Sequence, residues 1–223
     1  MTNNTVSSTA RVLGAGLRAL LVLTLVCGVV YPLAVTGVAQ ALFSDKANGS
    51  ELKDASGQVV GSSLIGQRYD LPPKDGEEAT APDLKWFQPR PSNGLGSNSV
   101  NTQYALLLSG ATNRSGDNEE LIQWVKDAKA AVVKDNSTAT YQVDPADVPP
   151  DAVTSSGSGL DPDISPAYAK LQVHRVAEQN GLDVKEVEDL VADHTTGRLL
   201  GFMGEPRVNV LELNTALRDR TQD

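Results

Sequence analysis

The sequence is short of the residues that most often carry chemistry. It holds one cysteine, Cys27, and two histidines, His174 and His194, in 223 residues. A single cysteine excludes an intrachain disulfide, and these three residues make no metal-ligand spacing. Cys27 lies in an apolar run, where a free thiol behaves as a small buried apolar side chain. Aromatics make up 4%, and 28 acidic residues outnumber 19 basic ones, for a net charge of −9. An acidic, aromatic-poor chain repels nucleic-acid phosphates and offers few stacking platforms, which excludes that partner class. Complete catalytic motifs are missing too. There is no D-K-T-G-T phosphorylation motif, no G-x-S-x-G elbow, no Rossmann fingerprint and no H-E-x-x-H. Gly61–Arg68, "GSSLIGQR", has the glycine spacing of a P-loop, but Gln67 stands where the lysine belongs. Apolar residues precede Gly66 and "QRYDLPP" follows with no helix start, so the stretch reads as a strand ending in a glycine turn rather than a phosphate cradle.

What is present begins with a long uncharged run. Ala19 to Ser44 spans 26 residues without a charge, roughly 39 Å as a helix at ~1.5 Å per residue. That length crosses a hydrocarbon core with some tilt. A cleaved signal peptide is the competing reading, with Arg11 and Arg18 ahead of the run and Ala39-Gln40-Ala41 as an A-x-A-like site. The run exceeds a signal-peptide core, and Val26 spoils a lipoprotein box before Cys27, so a retained anchor is expected. Arg11 and Arg18 are the only charges through Ser44, so residues 45–223 carry −11 of the net −9. The positive-inside rule then places residues 1–18 in the cytoplasm, 19–44 in the membrane and 45–223 outside the cytoplasm, at the cell membrane. Pro32 predicts a kink near Gly28–Pro32. Thr24 with Gly28, and Gly37 with Ala41, are spaced as small-x-x-x-small pairs that permit close packing on partner helices. Membrane helices are also rich in small residues in general.

The body reads as α+β: one extracytoplasmic domain with a few short strands and a helical C-terminal half. "GQVVG" and "SSLIG" are strand-like apolar runs bounded by Gly and Ser. Residues 70–103 are loop around an aromatic island, Trp86-Phe87. A helix is expected from Asp117, boxed with Glu120, to about Lys134, with Leu121, Val125, Ala128 and Val132 as its stripe. Residues 135–163 are linker-like, with Pro145, Pro149, Pro150, Pro162 and "SSGSG". Ser165 and Pro166 open a second helix to about Gln179, which buries Ala169, Val173, Val176 and Ala177 and stops at Asn180-Gly181. Asp183 and Glu186 cap a third, striped by Val184, Val187, Leu190 and Val191 and ended by Gly197. Asn209, with Glu212 three residues on, starts a fourth. His174 reads as a half-buried or surface helical histidine, since no nucleophile signal accompanies it. His194 suits the C-terminal end of a helix dipole. Asp161 and Asp163 read as turn and capping carboxylates. No metal site is expected.

The stretch "VTSSGSGLDPDISPAYAKLQVHRVAEQNGL" (153–182) resembles the signature of the C subunit of the Kdp potassium-transporting P-type ATPase, with Ser158, Gly159, Leu160, Asp161, Pro162, Ser165, Pro166 and His174 as its matching positions. "YPLAVTGVAQALF" (31–43), "GSSLIGQ" (61–67), "WFQPRPS" (86–92) and "HTTGRLLGFMGEPRVNVLELN" (194–214) are similar to other parts of that family, in order. Two departures are visible: Asp163 stands where the family often has His, and "NGLGSNSVNTQ" (93–103) differs from the family's middle loop. The resemblance implies an accessory subunit without catalysis of its own. Its partners would be a channel-like potassium-translocating subunit, a P-type ATPase subunit and a very small membrane subunit. It also implies a catalytic-chaperone role that raises the ATPase subunit's affinity for ATP, with Gln67 as the candidate ATP contact and no cofactor firmly bound. The residues alone also fit a free-standing, membrane-anchored binding domain with no pump partner.

Overall fold

A computed structural model describes residues 3–72, 81–92 and 109–222, with side chains from residue 8 to 221 within those ranges. The chain divides into two compact units, Met1–Ser50 and Glu51–Asp223. The first unit is helical: α1 (Asn3–Leu25), a π turn (Val26–Val30), α2 (Tyr31–Leu42) and the short α3 (Ser44–Ala47). Ser8–Leu42 contains an 18-residue window with a mean hydropathy of 2.3 and has no buried residue, and is long and apolar enough to cross a membrane. Pro32 has no N–H to give Gly28. At this point the chain makes a π turn, in which the Tyr31 N–H reaches the Val26 carbonyl.

The second unit is α+β. A hairpin pairs β1 (Glu51–Lys53) with β2 (Val59–Ser62) antiparallel, Leu52 facing Gly61, with a bulge between Leu52 and Lys53. Asp54 closes its turn by accepting from the Ser56 and Gln58 N–H groups, each at 2.9 Å. A second, three-stranded antiparallel sheet has the order β3 (Asp163–Ile164), β5 (Arg207–Asn209), β4 (Thr195–Thr196). Around it lie α4 (Glu119–Asn136), α5 (Pro166–Asn180), α6 (Val184–Asp193) and α7 (Val210–Gln222).

Helix α5 is the centre of the core. The Ser165 hydroxyl caps it by accepting from the Tyr168 N–H at 3.0 Å, and Gly181 ends it at φ 67°. The expected face, Ala169, Val173, Val176 and Ala177, is buried, and so are Tyr168, Leu171, Gln172 and Arg175. A helix buried nearly all round is interior to its domain. Val187 and Leu190 of α6, Val208 of β5, and Leu213 and Leu217 of α7 belong to the same core.

Four expectations need correction. "SSLIG" is not a strand, because β2 ends at Ser62 and a turn follows in which the Ile65 N–H reaches the Ser62 carbonyl at 3.2 Å. Asn118, not Asp117, caps α4, accepting from the Leu121 N–H at 2.9 Å, while Asp117 accepts from the Ser115 hydroxyl. Glu120 turns away to Arg114 (2.6 Å) rather than closing a capping box. Helix α6 stops at Asp193, with His194 as its C-cap, because the chain turns directly into β4 before Gly197. Residues 135–163 are not a linker. They contain two 3-10 turns, Pro145–Asp147 and Pro150–Ala152, and bury Val143 and Ala152. The prolines fix φ without breaking the packing.

Candidate functional site

The signature segment begins in a turn. The Ser158 hydroxyl accepts from the Leu160 N–H at 3.1 Å, and the Ser158 carbonyl accepts from the Gly110 N–H at 2.8 Å. Gly159 is at φ 69°, and a Cβ there would lie 2.9 Å from the Gly110 carbonyl oxygen, so conformation and space both require glycine. Its carbonyl accepts from the Ser92 hydroxyl. The Leu160 carbonyl accepts from the Gly66 N–H at 2.9 Å, and the Pro162 carbonyl from the Val210 N–H at 3.0 Å. Asp161 pairs with Arg90 at 3.0 Å and accepts from the Asp163 N–H. The other Arg90 nitrogens reach the Thr154 and Ser155 carbonyls. Ser165 is held from outside its helix by Asp151, whose carboxylate accepts from its N–H (2.7 Å) and hydroxyl (2.9 Å). The eight-residue run 158–165 thus fastens segments near residues 66, 90, 110, 151 and 210 to one another.

Asp163 pairs with Arg207 across the β3–β5 ladder at 2.9 Å. Partial burial nevertheless pushes its pKa above the ordinary carboxylate range; Arg207 opposes that shift without cancelling it. The His174 ring stacks on Tyr141, with centroids 3.9 Å apart and planes at 8°. His174 is half-buried, and its stacking partner is an aromatic ring rather than a nucleophile. At α6, the His194 Nδ1 lies 2.9 Å from the Leu190 carbonyl, at the C-cap.

Gln67 folds back on β2. Its Nε2 donates to the Val60 carbonyl at 3.0 Å. A Cβ on Gly61 would sit 2.1 Å from that nitrogen and 2.9 Å from Leu211 Cδ2. Gly61 is therefore required by close approach of the Gln67 amide. No helix begins among residues 67–72, so the free N–H groups of a phosphate loop are not assembled directly after Gly66. Thr24, Gly28, Pro32, Gly37 and Ala41 lie on the first unit; a Cβ on Gly28 would meet only the Thr24 methyl, at 3.9 Å, and Gly37 is open. The structure thus brings the residues of 158–166 together with the 61–67 segment, and places His174 apart from them on α5. The loop 93–103 lies outside the described residues.

Sequence reasoning passed over a buried polar network beside this hub. Arg175 is 2% exposed. Its guanidinium donates to the Leu84 carbonyl, to the Trp86 carbonyl (2.9 Å), to Asn136 Oδ1 (2.8 Å) and to Gln172 Oε1 (2.6 Å). Burial lowers its pKa to about 10. Gln172 exchanges two bonds with the Gln88 backbone (2.7 and 3.1 Å), and Asn214 does the same with Phe87 (both 2.9 Å). The "WFQPRPS" backbone is strapped by side-chain amides in place of a neighbouring strand, which satisfies buried groups that would otherwise be orphaned. The available signal was Gln172 and Arg175 at i, i+3, flanked by the apolar positions Leu171, Val173 and Val176. Among the described residues no cluster of His, Cys, Asp or Glu is arranged to hold a metal ion. A groove of about 740 Å³ runs between Leu121, Trp124, Val125 and Ala128 of α4 and Val153–Ser155. Ser92 and Ser109 also line it.

The family model for the K+-transporting ATPase c chain, KdpC, matches residues 13–219. A potassium-transporting ATPase KdpC subunit from Streptomyces avermitilis is 75% identical over 217 residues, 97% of each chain. That from Streptomyces coelicolor is 69% identical over 215 residues, 96% of this chain and 95% of its own. That from Mycobacterium tuberculosis is 46% identical over 203 residues, 90% and 94% of the two chains.

Proposed function

This chain belongs to the KdpC family, the c chain of K+-transporting ATPases, and from that premise we propose that it is an accessory, non-catalytic subunit of an ATP-driven potassium uptake pump. Its partners are the potassium-translocating channel-like subunit, the P-type ATPase subunit and the small membrane subunit of the same pump. The N-terminal helix anchors it in the cell membrane, with residues 1–18 cytoplasmic and the folded unit outside. The observation that carries this reading is the uncovered apolar helix Ser8–Leu42, interrupted by a π turn. A π turn and small-residue faces give such a helix reasons to pack on other membrane helices. The tagged full chain, purified from potassium-limited membranes, is expected to bring the P-type ATPase subunit with it; recovery of the chain alone overturns the assignment and leaves the free-standing binding domain.

The chaperone role acts, in this proposal, through assembly and not through a nucleotide bound at Gln67. The support is that the Gln67 amide is engaged by the Val60 carbonyl, with no helix beginning among residues 67–72. Gln67→Ala is expected to leave the apparent ATP affinity of the assembled pump unchanged, while lowering the stability of the chain by about 1 kcal/mol for the lost hydrogen bond. An ATPase titration in which the variant needs tenfold more ATP returns Gln67 to the nucleotide site.

A further inference from the structure

Beyond β4 the chain reaches a tip, Leu199–Met203, before returning as β5. The Leu199 N–H donates to the Met203 carbonyl at 2.9 Å, and the Met203 N–H to the Leu199 carbonyl at 3.0 Å. Below the tip, Arg198 pairs with Glu205 at 2.7 Å and donates to the Gly204 carbonyl at 3.1 Å. Leu200 and Gly201 both sit in the left-handed region, at φ 54° and 81°. Glycine adopts that conformation freely, whereas a leucine there is strained. The tip is a braced turn, and it carries its apolar side chains outward: Leu199 is 65% exposed, Leu200 76%, Phe202 73% and Met203 47%. A contiguous exposed apolar patch of this kind marks an interaction surface.

The chemistry of the surroundings selects the occupant. Residues 199–204 carry no charge, and the flanking Arg198 and Arg207 are each paired within the chain, to Glu205 and Asp163. A lipid-inserting loop uses basic residues free to meet anionic headgroups; here those charges are internally matched and the body is acidic. Four side chains also fall far short of the ~800 Å² per partner that holds a free-standing complex together. A second copy of the chain is therefore a poor occupant. Such a patch suffices where another contact already holds the partners close, since tethering raises the effective concentration. The membrane helix supplies that tether.

We propose that Leu199, Leu200, Phe202 and Met203 form a docking knob for an uncharged apolar depression on another subunit of the pump, an inference that rests on the accessory-subunit reading above. Two measurements on the full chain, co-expressed with the other pump subunits, test it. Photo-cross-linking from p-benzoylphenylalanine placed at Phe202 is expected to yield an adduct that mass spectrometry identifies as a pump subunit. Adducts only with lipid, only with a second copy of this chain, or none at all, overturn the knob. The double change Leu200→Asp and Phe202→Asp is expected to reduce retained pump subunits by about tenfold or more, as for central apolar anchors elsewhere, without lowering the thermal midpoint, because both side chains are solvent-facing and aspartate tolerates the left-handed region better than leucine. Undiminished retention overturns the knob alone. If the unaltered chain retains no pump subunit, the accessory reading itself fails.

Discussion

Arg175 shows how much one buried side chain can decide. Its guanidinium holds two backbone carbonyls and two side-chain amides at once, without a carboxylate among those partners. Arg175→Ala removes these four bonds, leaves Asn136 Oδ1 buried without its donor and empties the space of a large buried side chain, and is expected to cost about 3 kcal/mol or more, or roughly 6–12 °C in the melting midpoint of a unit this size. Tryptophan fluorescence melts of the full chain in detergent measure this, and Arg175→Lys is expected to recover only part, because an ammonium lacks the planar fork. Two aspartates act with opposite signs. Asp163 is pushed up, first by burial, so its protonated form is favoured by folding and its contribution is lost as pH rises through its folded pKa. Asp163→Asn is therefore expected to be at least as stable as the unaltered chain at neutral pH, with the difference vanishing in acid. Asp54 is held below its usual range, first by the Ser56 hydroxyl, so its stabilisation is present above the unfolded carboxylate pKa and disappears as pH falls. Melts of Asp163→Asn and Asp54→Asn across pH 3 to 7 are expected to depart from the unaltered chain in opposite directions towards neutral pH; parallel profiles would show that neither environment persists in solution.

At the scale of elements, the N-terminal helix and α5 obey different solvents. Helix α5 is buried on nearly every side by the protein, and the cap at Ser165 and the stop at Gly181 were both legible because they rest on local chemistry. The N-terminal helix buries nothing within its own unit, and its π turn supplies one extra residue near Pro32. Deleting Val29 removes only that residue. Deleting Val35 swings Gly37 and Ala41 by about 100° relative to Thr24 and Gly28, the angle of one helical residue. Retention of the ATPase subunit on affinity purification is expected to fall several-fold for the Val35 deletion and much less for Val29. Equal losses would mean that the small-residue faces are not packed against partners.

Across the whole molecule, the charge pattern sets the expected topology: two arginines before the apolar run and an acidic body after it. Leu64 is 63% exposed in the turn after β2, and Cys27 is the chain's one native cysteine. In a Cys27→Ser background, Leu64→Cys is expected to react with a membrane-impermeant maleimide in intact spheroplasts. Labelling seen only after permeabilisation would put the folded unit in the cytoplasm, on the side of the membrane where ATP is.

The sequence by itself determined the long apolar N-terminal helix, the α+β class, the helix starts at Ser165, Asp183 and Asn209, and the family signature. These depend on periodicity, on capping chemistry within a few residues, or on contiguous motifs, all of which act over short stretches of chain. It misplaced the end of α6 and read 135–163 as a linker because proline-rich chain looks alike whether it is packed or free. Only the tertiary structure decided that the signature is a fastening point, that Gln67 fills the space Gly61 leaves, and that Arg175, Gln172 and Asn214 take the place of a missing strand. Those outcomes join Val60 to Gln67, Gly66 to Leu160 and Phe87 to Asn214. Hydrogen bonds between residues up to 127 positions apart depend on how the whole chain closes, and no local pattern encodes that closure.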